Sequence, residues 1–217
     1  TKRLLRDANI GIAKFVTLRK GYNDQLSYEE IKARIGGALF VKPANLGSSV
    51  GVSFVDNATD FASAVEAGFT FDPKVIVEEK IEGREIECAV LGNAQPKASV
   101  IGEILPKTAW YTFENKYIDD DGAGLEIPAQ MTEEESARAQ KIALEAYINL
   151  ECSGLTRVDM FMKPDGEIIV NEVNTLPGFT QISMYPKLWE KSGVSYPELI
   201  TKLIFLALER FTEELQL

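Results

Sequence analysis

Histidine is absent from all 217 residues. That excludes a Ser-His-Asp or Cys-His catalytic group, and any His-ligated zinc site, within this chain. Cysteine is scarce. Cys88 and Cys152 stand far apart in apolar surroundings, which reads as two buried free thiols in a reducing cytoplasm. Long apolar runs are missing as well: the longest near the C-terminus, Leu203–Leu208, is far too short to span a membrane, and no secretory signal pattern opens the chain. Basic clusters are also lacking. With 23 Lys and Arg against 33 Asp and Glu the net charge is −10, which argues against nucleic acid as the main partner. An anionic ligand must then be met locally, by Lys, Arg, backbone N–H groups or metal. Neither GxxxxGK[ST] nor GxGxxG occurs, so neither the P-loop nor the Rossmann fingerprint applies. There is no internal repeat and no low-complexity tract.

What remains is the composition of a globular protein, 45% hydrophobic and 26% charged, long enough for one large or two small domains. The opening TKRLLRDANIG already lies inside a helix-like pattern, which leads us to expect further chain upstream. Lys2–Ala8 reads as a helix and Ala13–Leu18 as a strand. Ser27-Tyr28-Glu29-Glu30 forms a capping box for a helix to Ile35. The strand Ala38–Lys42 runs into a Gly/Ser-rich loop, Ala44–Gly51, and the strand Val52–Val55. Asn57–Ala67 is an amphipathic helix with Phe61, Ala64, Val65 and Gly68 on one side. The strand Lys74–Val77 leads to Gly83, a candidate join between two units. Glu85–Leu91 and Ala98–Ile104 read as an antiparallel pair. Residues 106–126 form a loop of a length that is usually functional inside a compact domain. A second capping box, Thr132 to Glu135, starts a helix to Leu150. Tyr185–Lys191 and Tyr196–Thr212 are the last two helices.

Between those helices lies RVDMFMKPDGEIIVNEVNTLPGFT, residues 157–180. Asp165-Gly166 predicts a two-residue hairpin turn. Pro164 then faces Glu167, Asp159 faces Glu172 and Arg157 faces Asn174. Side chains at i and i+2 share a strand face, so Arg157, Asp159, Glu172 and Asn174 are expected together. Two carboxylates and an amide oxygen are hard donors that suit Mg²⁺ held by few protein ligands, and the arginine suits an anion. The plainer alternative is a solvated face, or a salt bridge from Arg157 to Asp159.

Three other stretches carry chemistry. Lys42 ends a buried strand, and Asn45-Leu46-Gly47-Ser48-Ser49-Val50-Gly51 follows. Such a loop offers backbone N–H groups and hydroxyls to phosphate, although taken alone it also fits an ordinary hairpin with Lys42 in solvent. In KVIVEEKIEGRE (74–85) an apolar strand ends in Glu78-Glu79. The chain beyond could meet an adenine edge, and Glu85 could accept both ribose hydroxyls; solvated charges at a strand end are the alternative. In the long loop, Lys116-Tyr117 follows Trp110, Tyr111 and Phe113. A cation there could close over a transferring phosphate, or the loop could be plain surface.

Taken together, FVKPANLGSSVGV (40–52), VEEKIEGREIECAVLG (77–92), ENKYIDD (114–120), GLTRVDMF (154–161) and NEVNTLPGFTQISMYP (171–186) resemble the ATP-grasp superfamily and, within it, the D-alanine–D-alanine ligase family. The resemblance spans essentially the whole chain. It implies an α+β ATP-grasp fold of two subdomains, 1–81 and 82–217, with nucleotide held between antiparallel sheets and a lid loop at 106–126. It assigns Lys42, Ser48 and Ser49 to nucleotide phosphates, Glu78, Glu79 and Ile81 to the adenine border, and Glu85 to the ribose. Lys116 would reach the β- and γ-phosphates. Asp159, Glu172 and Asn174 would hold two Mg²⁺ (or Mn²⁺), while Arg157 and the Gly178 N–H would stabilise the tetrahedral intermediate. Ser183 and Met184 would receive the carboxylate of the second D-alanine. Tyr117 resembles the dipeptide makers rather than the D-lactate variants.

The implied activity is ATP-dependent joining of two D-alanines for peptidoglycan precursors, in the bacterial cytoplasm, by a homodimer of the full-length protein, without nucleic acid or membrane. The family's N-terminal domain cannot be located in these residues. The competing expectations are a D-serine or D-lactate variant and a non-catalytic nucleotide-binding module.

Overall fold

The structure, a computed structural model, describes residues 1–22, 26–105 and 124–215. They form two units. One holds Ala13–Ile81; the other holds Thr1–Ile12, Glu82–Leu105 and the chain from Gly124 onward.

In the first unit, β1 (Phe15–Arg19), β2 (Leu39–Pro43), β3 (Ser53–Val55) and β4 (Lys74–Glu79) make an antiparallel sheet in the order β1-β4-β2-β3. Period-2 alternation turns Leu39, Val41, Val55, Val75 and Val77 toward α2 (Tyr28–Ile35) and α3 (Ala58–Phe71), where Ile31, Ile35, Phe61, Ala64 and Val65 complete the core. Both helices start where side chains replace missing backbone partners. Ser27 Oγ accepts from Glu30 N–H while the Glu30 carboxylate accepts from Ser27 N–H at 2.8 Å. Asn57 Oδ1 accepts from Asp60 N–H at 2.9 Å. Helix α3 continues four residues beyond the Ala67 end expected from the sequence. Gly68 is a contact rather than a stop: a Cβ there would lie 2.9 Å from Val75 Cγ2, so the missing side chain lets helix and sheet touch.

In the second unit, β5 (Arg84–Gly92), β6 (Lys97–Leu105), β7 (Gly124–Glu126), β8 (Gly154–Met162) and β9 (Ile168–Asn174) form the sheet β7-β6-β5-β8-β9. One face packs on α4 (Glu133–Asn149) through Ala139, Ala143, Ala146 and Tyr147, together with Leu5 of α1 (Lys2–Asp7). The other packs on α5 (Met184–Lys191) and α6 (Tyr196–Glu214) through Met184, Tyr185, Leu188, Trp189 and Leu199. The capping box at Thr132 and Glu135 is formed. Strand β5 is covered on both sides over its second half, where Cys88–Leu91 form a continuous apolar run.

Two expectations about boundaries need correction. Residues 1–12 belong to this unit: Leu5 and Ile10 enter its core, and Val170 N–H donates to Gly11 O at 2.8 Å. The long loop expected to end at residue 126 gives way to strand at Gly124, paired with Leu105.

The β8–β9 hairpin also departs from its expected turn. Gly166 N–H donates to Lys163 O and Lys163 N–H to Glu167 O, both at 2.9 Å, so the loop is the three residues Pro164-Asp165-Gly166, with Gly166 at φ +81°. Such a loop needs a left-handed residue after its type I turn, and glycine supplies it. Met162 therefore pairs with Ile168 and Met160 with Val170; Pro164 does not face Glu167. A bulge then adds Asn171, and beyond it Asp159 pairs with Glu172 and Arg157 with Asn174. The expected neighbours are correct, by a different route.

Candidate functional site

The bulge decides what β9 presents. Ile168, Val170 and Val173 pack in the core with α4. A strict alternation from Ile168 would have sent Glu172 and Asn174 into that core; the extra residue turns them to the opposite face. There Glu87, Asp159 and Glu172 stand in one row across β5, β8 and β9, since Asp159 pairs with Glu87 on one side and Glu172 on the other.

Arg157 joins that row. Its Nε and Nη2 each donate to an Asp159 carboxylate oxygen at 2.6 Å, and its Nε lies 3.0 Å from Glu87 Oε2. The salt bridge that stood as the plainer alternative is thus present. Burial alone would lower the Arg157 pKa, but the hydrogen bonds to Asp159 and the charges of Asp159, Glu87 and Glu172 outweigh it and hold the guanidinium above its ordinary value. Asn174 Oδ1 accepts from Leu176 N–H at 3.2 Å, which starts the turn out of β9.

The loop after β9 is pinned by Phe179. Its ring centroid lies 5.6 Å from that of Tyr196 and 5.9 Å from that of Tyr185, and its carbonyl accepts from Tyr196 Oη at 2.8 Å. Beside it, a Cβ on Gly178 would fall 3.1 Å from Ser183 Oγ. Ser183 is the N-cap of α5, yet its hydroxyl is turned to Thr180, accepting from Thr180 N–H at 3.1 Å. The Met184 side chain is buried in the core against Gly102. What Met184 can offer a ligand is its backbone N–H in the first turn of α5, where helix N–H groups lack partners.

In the first unit, Lys42 Nζ is 2.7 Å from Glu78 Oε2, on the sheet face away from α2 and α3. Lys42 is therefore paired, not pointing alone into solvent. Glu79 is tied to backbone: its Oε1 accepts from Lys14 N–H at 2.7 Å. Ile81 follows β4, half-buried, and Glu85 sits on β5 opposite Phe161. Ser48 and Ser49 have φ of 56° and 59°, two successive left-handed non-glycine residues. Such strain persists only where surroundings impose it and is common at ligand clamps. Lys116 and Tyr117 lie outside the described residues.

Two residues escaped the sequence reading. Asp72 accepts from Asn45 N–H, Asn45 Nδ2 and Lys74 N–H, each at 2.8 Å, and so fixes the start of the Gly/Ser loop. The Lys74 and Asn45 N–H bonds hold its carboxyl below the usual range, although burial opposes them. Glu87 was missed too; it stands beside Asp159 only through the long-range pairing of β5 with β8, which no local pattern announces. Of the two cysteines, both free, Cys88 is buried and its thiol is pushed up to about 12 by that burial, while Cys152 is half-buried.

Among the described residues no three carboxylates or thiols are gathered into a metal cage. The donors Asp159, Glu172 and Asn174 nonetheless fit Mg²⁺ by type, since that ion takes few protein ligands and completes its shell with phosphate and water. The second unit thus presents an arginine held by acids with hard oxygen donors beside it, and the first unit a strained Gly/Ser loop.

A family model described as the D-Ala D-Ala ligase C-terminus matches residues 4–205. D-alanine–D-alanine ligase A of Escherichia coli K12 is 54% identical over 210 residues, 97% of this chain and 58% of the relative. The D-alanine–D-alanine ligase structure from Coxiella burnetii superposes with a TM-score of 0.87 at 40% identity, covering 99% of this chain and 57% of that one. The Bacillus anthracis ligase structure complexed with ATP gives 0.79 at 31% identity, over 98% and 64%. The fold is ATP-grasp. The chain belongs to the D-alanine–D-alanine ligase family, matches its C-terminal part and spans somewhat over half the length of the curated relatives. No helix among the described residues is long and apolar enough to cross a membrane.

Proposed function

We propose that this chain is the ATP-grasp part of an enzyme that joins two D-alanines into D-alanyl-D-alanine, a peptidoglycan precursor, in the bacterial cytoplasm. The observation that carries the reading is the face where Arg157, held by two carboxylates, stands beside Glu172 and Asn174. A carboxylate oxygen of the first D-alanine attacks the γ-phosphorus of ATP, ADP leaves, and D-alanyl phosphate forms. The amine of the second D-alanine attacks the acyl carbon, and phosphate departs with the C–O bond electrons. Arg157 and the Gly178 N–H stabilise the oxyanion that develops on that carbon. The Ser183 hydroxyl and the Met184 N–H receive the second carboxylate. Lys42 and the Ser48–Ser49 loop hold the ATP phosphates, with Lys116 and Tyr117 closing over them; Glu78, Glu79 and Ile81 border the adenine, and Glu85 takes the ribose. Two Mg²⁺ or Mn²⁺, held by Asp159, Glu172 and Asn174, would neutralise charge on the transferring phosphate. A homodimer of the full-length protein belongs to the same reading.

The test is to incubate the full-length protein with ATP, Mg²⁺ and D-alanine, alone and with D-serine or D-lactate, and to identify products by mass spectrometry. D-alanyl-D-alanine with one phosphate released per bond is expected. Phosphate release without dipeptide, or product only with another acceptor, overturns the reading.

A further inference from the structure

Glu87 has no part in the assignments above, yet it is 5% exposed. A carboxylate that deeply placed is tolerated only where a cation and hydrogen bonds meet it. Among the described residues Arg157 is the cation it meets, 3.0 Å away. Arg157 also spends two donors on both oxygens of Asp159. The reading of Asp159 as a metal ligand asks those same oxygens to face a cation instead. Arg157 then needs a second anion if it is to stay on the reacting face. Glu87 is the only other acid in ion-pair contact with it among the described residues, and it comes from β5, the central strand of its sheet and thus rigidly placed.

We propose that Glu87 is a positioning residue that keeps the Arg157 guanidinium in place while Asp159 is engaged by metal. The inference rests on the function proposed above. Glu87 touches neither substrate nor metal in it; it acts through Arg157.

The experiment uses the full-length protein with Glu87→Gln, Arg157→Gln and the double variant. It reads kcat and KM for ATP in dipeptide formation, and Mn²⁺ affinity of the ADP complex by electron paramagnetic resonance. In Glu87→Gln, kcat should fall about 10–100-fold, the range for groups that orient a metal site from behind, with KM for ATP within twofold. Mn²⁺ should bind several-fold more weakly, because Arg157 then leans on Asp159 alone. In the Arg157→Gln background, Glu87→Gln should leave Mn²⁺ affinity unchanged. An equal loss in both backgrounds would mean that Glu87 acts on the metal directly and overturns the proposal, as does a kcat within twofold of wild type. If Glu87→Gln does not fold, Glu87→Asp, which keeps the charge one methylene further back, takes its place with the same readouts, and unchanged values there overturn the proposal equally. A wild-type protein that makes no dipeptide defeats the function reading and this inference together. An active wild type with an indifferent Glu87 variant defeats this inference alone.

Discussion

Asp159 and Glu172 are cross-strand neighbours with the same proposed duty, and they should fail differently when neutralised. Asp159 accepts two hydrogen bonds of 2.6 Å from Arg157, and the two side chains are only 13% and 19% exposed. Hydrogen bonds to charged groups contribute about 1.5–3 kcal/mol each. Asp159→Asn keeps one neutral acceptor, and Glu87 still faces the guanidinium, so the net loss should be about 1–2 kcal/mol rather than the about 3–5 kcal/mol of an ion left wholly alone. For a chain of this size that corresponds to a fall in Tm of about 2–8 °C. Glu172 is exposed, and Glu172→Gln should stay within about 0.5 kcal/mol of wild type, as surface substitutions do. Turnover should nonetheless collapse in both, by at least about 100-fold, with nucleotide affinity changed only a few-fold, because charge on the transferring phosphate matters most in the transition state. The assays are differential scanning calorimetry, single-turnover ADP formation and ADP binding by calorimetry. Near-normal turnover in either variant would remove the metal assignment. Equal Tm losses in the two would show that the Arg157–Asp159 pair does not hold the face together.

Two further outcomes follow from the Gly/Ser loop. Gly51 has φ +71°, and a Cβ there would lie 2.9 Å from both Phe71 Cδ2 and Pro43 Cγ, so Gly51→Ala should cost about 1–3 kcal/mol and raise KM for ATP more than it lowers kcat; an unchanged melting curve would show that the loop yields freely. Asp72 has its folded pKa depressed by the N–H bonds of Lys74 and Asn45. Its stabilisation is therefore present above the unfolded value, about 3.9, and is lost as pH falls through the lower folded one. In urea melts across pH, wild type should exceed Asp72→Asn by a constant margin above about pH 5 that shrinks below about pH 4; a margin independent of pH would refute the assignment.

The features legible in the sequence are those whose causes are close in sequence. Both capping boxes are formed, because Ser27 and Thr132 find their partners three residues away. The buried stripe of α3 is also as the spacing predicts, since helical period needs no knowledge of the rest of the chain. What failed depended on distant partners. Asp72 acts on Asn45, 27 residues earlier, and Glu87 on Arg157, across two strands. The hairpin lies between these cases. Asp165-Gly166 marks the turn correctly, but a Gly at φ +81° serves a two-residue loop and a three-residue loop alike. The apolar pattern held the answer: Ile168, Val170 and Val173 are core residues spaced two and then three apart, and only an inserted residue lets all three face the same helix.

That inserted residue also explains why the face has the charge it has. With Glu172 and Asn174 turned out of the core, three carboxylates stand side by side on β5, β8 and β9, with facing Cβ atoms about 5 Å apart, and acids so placed repel one another. One guanidinium offsets one of them, so Glu87, Asp159 and Glu172 with Arg157 carry three negative charges and one positive, a remainder of −2. Such a remainder attracts a divalent cation with an anion attached, whereas an anion alone would be repelled by this face and by a chain of net charge −10. The salt bridge and the metal assignment are therefore not rivals. Arg157 offsets part of the repulsion within the row, and its second anchor at Glu87 would let Asp159 exchange one cation for another without leaving the arginine unpaired.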